Sequence, residues 1–147
     1  MDDSELTKTI IGCAYRVFNT LGAGFLESVY HQSLLIELRE AGLDVESQVT
    51  LDVLYHGQPV GCFIADIIVE GKVILELKAI EQLAKIHEVQ LVNYLVATGI
   101  RLGLLVNFGP DGVVVRRKAK DIKDLPVNPP QNPVILSKDS KGHVTEL

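Results

Sequence analysis

Apolar residues recur along the chain with two alternating periods, and the alternation predicts its elements. In residues 6–21 they fall three and four apart, at Leu6, Ile10, Cys13, Ala14, Val17, Phe18 and Leu21, which predicts an amphipathic helix ended by Gly22. The acidic start suits a helix N-terminus, with Ser4 as the expected N-cap. A second helix is expected at about 26–41. Its apolar face would carry Leu26, Val29 or Tyr30, Leu34, Leu38 and Ala41, and Gly42 would stop it. From Leu43 the period becomes two: Val49, Leu51 and Val53 alternate with Thr50 and Asp52 in a half-buried strand that reaches Tyr55. A turn at 56–59 leads to strands at 60–69 and 73–79. Helical spacing then returns through Leu83, Ile86, Gln90, Leu91, Tyr94, Leu95 and Ala97, closed by Gly99. The apolar run 102–108 follows a helix and is expected inside the sheet, and 113–117 forms an edge strand beyond a Gly-Pro-Asp-Gly turn. Pro126, Pro129, Pro130 and Pro133 mark a change of character, so residues 1–125 read as one α/β domain. Residues 126–147 read as a loosely ordered tail that docks in part through Val134, Ile135 and Leu136.

The polar exceptions within the two central strands carry the chemistry. Asp66, Glu76 and Lys78 interrupt otherwise apolar runs, where an unpaired polar group costs free energy. Glu76 and Lys78 share one face of their strand, and Val73, Leu75 and Leu77 share the other. A three-residue turn at 70–72, with Gly71 accepting positive φ, keeps the index sum of paired residues at 142 and sets Asp66 opposite Glu76. Two carboxylates about 5 Å apart repel unless a proton or a cation lies between them. Hard oxygens with few other protein ligands suit Mg²⁺ or Mn²⁺, and a neighbouring ammonium can hold a water or offset phosphate charge. The trio reads as metal-assisted phosphodiester hydrolysis. The bland alternative is a surface hairpin with a Glu–Lys ladder.

Composition narrows the picture. The 147 residues carry a net charge of −5, which argues against a dedicated nucleic-acid packaging protein but not against a local basic groove. The basic run Arg116, Arg117, Lys118 and Lys120 reads first as a solvated sheet edge and second as a phosphate-contacting patch. Cys13 and Cys62 lie in apolar contexts without a C-x-x-C, so both read as buried thiols in a reducing, cytoplasmic compartment. No apolar run approaches the ~20 residues of a membrane span. The glycines near position 24 follow no strand and have Glu27 where a dinucleotide fingerprint needs Gly. His87-Glu88 has Leu91 where a zincin needs its second His. His31, His56 and His143 show no metal-ligand spacing, and His87 reads as a helix-surface residue.

The order helix, strand, strand, strand, helix, strand, with Asp66 and Glu76-Leu77-Lys78 on its second and third strands, resembles the core of the PD-(D/E)XK nuclease superfamily. Within it, Gly24-Phe25-Leu26-Glu27-Ser28-Val29-Tyr30 resembles the pattern that names the GxxExxY protein family. Gln90-Leu91-Val92-Asn93-Tyr94 looks like the Q-x-x-x-Y motif of the recombination-type exonuclease branch. Ala65 departs from the superfamily's Pro. The resemblance, over about residues 5–120, implies a restriction-endonuclease-like αβββαβ core with a mixed central sheet flanked by helices. It implies a Mg²⁺-dependent nuclease, with Mn²⁺ as the alternative ion and DNA the expected substrate. Asp66, Glu76 and the Leu77 carbonyl would bind the ion, and Glu27 would be an extra ligand to metal or water. Lys78 would activate the attacking water, and Gln90 and Tyr94, on one helix face, would orient the phosphate or Lys78. Two other readings stand beside this one. The first is a catalytically silent module that binds nucleic acid or protein. The second is an interaction protein, since 47% hydrophobic residues permit a homodimer without requiring one.

Overall fold

The computed structural model describes residues 1–120 with their side chains, and residues 135–138 and 144–146 as backbone. The rest of the expected tail lies outside the described residues. Two helices, α1 (Asp3–Leu21) and α2 (Glu27–Glu40), precede β1 (Val45–Tyr55), β2 (Gln58–Val69) and β3 (Val73–Lys78). Helix α3 (Lys85–Thr98) then crosses to β4 (Leu102–Gly109) and β5 (Gly112–Ala119), and the short strands β6 (Ile135–Lys138) and β7 (Val144–Glu146) follow. The sheet order is β5-β4-β3-β2-β1-β6-β7. Among the described strands only β3 and β4 run parallel, because α3 carries the chain back between them; every other described pair is antiparallel. The αβββαβ order and the mixed sheet are as expected. Strand β4 is buried along its whole length, and β5 forms one edge.

Each sheet face has its own core. Helices α1 and α2 pack on Ile67, Val69, Val73, Leu75 and Leu77 through Leu6, Ile10, Val17, Leu34 and Leu38. On the opposite face, Leu91 and Leu95 of α3 pack on Val49, Leu51, Ala65, Ile68 and Ile74. The close fit of α3 is set by Gly103 on β4, where a Cβ would come within 2.8 Å of Leu91.

Several local expectations shift. The N-cap of α1 is Asp2, not Ser4: Asp2 accepts the Glu5 N–H at 2.8 Å and Glu5 reaches back to the Asp2 N–H at 3.4 Å, so the reciprocal pair starts the helix earlier. Helix α2 buries Tyr30, His31, Leu34, Leu35 and Leu38, whereas Leu26 precedes the helix and is 75% exposed. Cys13 is buried but Cys62 is exposed, because the outer end of the β1–β2 hairpin, with Val53, Tyr55 and Val60 also exposed, extends beyond the helical cover. The β2–β3 turn is the three-residue one, with Val69 paired to Val73 and the Lys72 N–H donating to the Val69 carbonyl at 2.9 Å. Glu70 joins Gly71 at positive φ (54° and 63°) and is tied down by Asp44, whose carbonyl accepts the Glu70 N–H at 2.7 Å. Among the described residues no helix is long and apolar enough to cross a membrane.

Candidate active site

The site begins where the sheet's regularity fails. β1 and β2 pair at Ser47–Ile67 and again at Val49–Ala65, but not at Gln48 and Asp66 between them. β2 and β3 pair from Val69–Val73 only as far as Ile67–Leu75. Ile67 packs with the α1–α2 core and Ala65 with the α3 core, so the in-out alternation slips by one across Asp66. Both backbone donors freed next to Asp66 are taken by carboxylates. The Leu77 N–H donates to Asp66 Oδ2 at 2.7 Å, and the Asp66 N–H donates to Glu76 Oε1 at 3.3 Å. Strand N–H groups lie in the plane of the sheet, so the Asp66 carboxylate reaches into the gap between β2 and β3 rather than onto one face.

This gap is shared by two acids. Burial, then the charge of Asp66, pushes the Glu76 carboxyl up to about 8; the Asp66 N–H and the Lys78 charge act against that rise. The ion pairs among the described residues are Arg16–Glu37 and Lys118–Glu88, and neither involves Asp66 or Glu76. The two acids therefore meet with one oxygen each on backbone and without a cationic side chain in contact. Such a donor set suits a small, hard divalent cation. Among the described residues no three His, Cys, Asp or Glu side chains gather closely enough to ligate one ion. Glu27 lies within electrostatic reach of the pair: desolvation, then the Asp66 charge, raises its carboxyl pKa, and Lys78 lowers it.

The flanking residues approach from both layers. On the α3 side, burial and the charges of Glu76 and Asp66 raise the Tyr94 pKa, and the Tyr94 ring stacks on Phe63 with centroids 3.8 Å apart. Gln90 is exposed; with Tyr94, Asn93, Phe63 and Val60 it lines a groove of about 510 Å³. Gln90 and Tyr94 therefore share a groove. Lys78 is half-buried on the β3 face that carries Glu76.

Two polar anchors fix the ends of the elements that carry these groups. Tyr30 is fully buried; its hydroxyl donates to the Gly22 carbonyl at 2.6 Å and accepts the Phe25 N–H at 3.3 Å, and its ring stacks on Phe108 at 4.5 Å. Tyr30 thereby holds the loop whose Gly24 (φ 97°) leads into Glu27. Asn107, opposite Lys78 on β4, clamps Ile80 by accepting its N–H and donating to its carbonyl, both at 3.0 Å. The sequence signal for Asn107, absent from the expected site residues, is that it is a lone amide in the apolar run 102–108. His31 has no metal-ligand spacing in the sequence. It follows Glu27 by one helical turn and is buried, with Nε2 2.9 Å from Ser47 Oγ. His87 instead caps α3, its Nδ1 accepting the Ala84 N–H at 2.9 Å. Arg116 and Arg117 are exposed on edge strand β5, and Lys118 pairs with Glu88 at 2.6 Å.

Comparison with known proteins fits this picture. A family model for the PD-(D/E)XK nuclease superfamily matches residues 4–120. Among solved structures, SSO0001 is similar in fold, with a TM-score of 0.50 and 23% sequence identity over 66% of this chain and 52% of that one. This chain thus spans about half the length of SSO0001. No curated protein matches.

Proposed function

We propose, from the fact that this chain belongs to the PD-(D/E)XK nuclease superfamily, that it hydrolyses nucleic-acid phosphodiester bonds with a divalent cation held by Asp66 and Glu76. The observation that carries the reading is the acid pair itself: two carboxylates in one gap, no cationic side chain in contact with them, and a Glu76 carboxyl pushed up to about 8 by burial and then by the Asp66 charge. Mg²⁺ or Mn²⁺ bound there would supply Lewis-acid polarisation of a phosphoryl oxygen and a more acidic water. The Leu77 carbonyl would complete the protein ligands. The Lys78 ammonium, on the same β3 face as Glu76, would hold the attacking water and offset charge gathering on the phosphorus. Glu27 would act through a water. Tyr94 and Gln90, which line the groove, would orient the phosphate. DNA as the polymer, and kinship with the GxxExxY group through Gly24, Glu27 and Tyr30, rest on resemblance. All the residues named come from one chain, so the proposal needs no second copy.

The test is cleavage of labelled single- and double-stranded DNA and RNA in Mg²⁺ or Mn²⁺, beside Asp66→Asn, Glu76→Gln and Lys78→Ala. Each variant is expected to lose at least about 100-fold, the scale of a removed transition-state contact. Cleavage that survives Asp66→Asn and Glu76→Gln would exclude this site. The net charge of −5 favours a second reading, a silent binding module. Nucleic-acid binding unchanged by EDTA and by Asp66→Asn, without cleavage, would select it.

A further inference from the structure

The break that presents Asp66 is braced from the helix that carries Glu27. Gln48, opposite Asp66, sits at φ 52°, a left-handed conformation that costs free energy for any residue with a Cβ. Gln48 is exposed, so side-chain packing does not compensate. Its predecessor Ser47 is held instead: Ser47 Oγ lies 2.9 Å from Nε2 of His31, a residue only 6% exposed. With Gln48 extended, the Gln48–Asp66 pair would close, the alternation would run on, and the N–H groups of Asp66 and Leu77 would return to the ladder. In the structure these two N–H groups instead make the reciprocal bonds between Asp66 and the Glu76-Leu77 segment.

We propose that His31, acting through Ser47, is a positioning residue for Asp66: their bond locks the left-handed turn at Gln48, which keeps the Asp66 carboxylate on the Leu77 N–H and beside Glu76. The inference rests on reading Asp66 and Glu76 as the ion-binding pair. The Asp66 charge opposes the lowering of the His31 pKa by burial, which fits an imidazole within electrostatic reach of that carboxylate.

The test uses NMR of the metal-free full chain and Mn²⁺ titration by calorimetry, on wild type, Ser47→Ala, His31→Ala and His31→Gln. An amide donating to a carboxylate at 2.7 Å resonates downfield and exchanges slowly. Ser47→Ala, at an exposed position, and His31→Ala are expected to move the Leu77 amide upfield and speed exchange at Leu77 and Asp66 selectively. They should also weaken Mn²⁺ binding about tenfold, as loss of outer-shell support does. The Gln amide of His31→Gln restores both. An unchanged Leu77 amide with unchanged Mn²⁺ affinity in Ser47→Ala overturns the proposal, as does a uniform loss of protection across the sheet. A wild type that binds no Mn²⁺ while its Leu77 amide responds to Ser47→Ala leaves the brace standing and removes the ion-binding reading instead.

Discussion

Glu76→Gln should stabilise the metal-free protein, and by more the higher the pH. In the native state the Asp66–Glu76 pair holds one proton up to about pH 8, whereas an unfolded glutamate loses it near 4.5. Between those values the native state binds more protons than the unfolded chain, so stability falls as pH rises through the window and levels off above it. At about 1.4 kcal/mol per pH unit, the loss between about pH 5 and about pH 9 comes to roughly 4 kcal/mol. Gln cannot titrate, and its carbonyl oxygen can still accept the Asp66 N–H that Glu76 Oε1 accepts now. The stability difference between variant and wild type should therefore grow by roughly 4 kcal/mol across that range, or about 8–16 °C in Tm. Any constant offset from the substitution cancels in the slope. Urea unfolding followed by circular dichroism, in EDTA at steps of pH, measures it. A difference flat to within about 1 kcal/mol would refute the account, because the proton would then not reside on this pair. Mg²⁺ should reverse the trend for wild type at high pH, adding about 3 kcal/mol at a hundred times its Kd, and leave Glu76→Gln largely unmoved.

Three further substitutions probe the supports of the site. Tyr30→Phe keeps the stack on Phe108 but strips the Gly22 carbonyl and the Phe25 N–H of their partner, and should cost about 1–3 kcal/mol in urea unfolding. A loss near zero would mean that water replaces the hydroxyl. Asn107→Ala frees the Ile80 N–H and carbonyl together; about 2–3 kcal/mol should be lost, with faster proteolysis in residues 79–84. Gly103→Ala sets a methyl 2.8 Å from Leu91 Cδ1 and should cost about 1–3 kcal/mol, read by thermal unfolding. Paired with Leu91→Val its cost should be non-additive, and strict additivity would show that α3 simply moves away.

The fold was largely legible because each element has one dominant period. The switch from period two to spacings of three and four at Leu83 placed α3 between two apolar runs, and the later run lies inside the sheet, parallel to β3 across the crossover helix. The three-residue turn followed from arithmetic, where Gly71 supplied the clue, but the Asp66–Glu76 pair to which the same arithmetic extends is not formed, because the β2–β3 ladder stops at Ile67–Leu75. The slip at Gln48 was not legible, since a positive φ at Gln has no local signature; it is enforced from α2, far away in sequence. The exposure of Cys62 was missed for a related reason. Alternation reports which residues share a face, not how far a hairpin extends past the helices that cover it. Tyr30 was visible as a motif, but its work, holding the Gly22–Phe25 loop, belongs to tertiary contacts.

The reciprocal bonds between Asp66 and the Glu76-Leu77 segment also bear on how such a chain can change over generations. Asn and Gln preserve each acceptor oxygen, and a single base change converts Asp to Asn or Glu to Gln. Inactivation by that route leaves every backbone donor satisfied and relieves the repulsion between the acids, so a drifting lineage would gain stability as it lost charge. The two acids therefore lie uphill of their nearest neutral neighbours in sequence space.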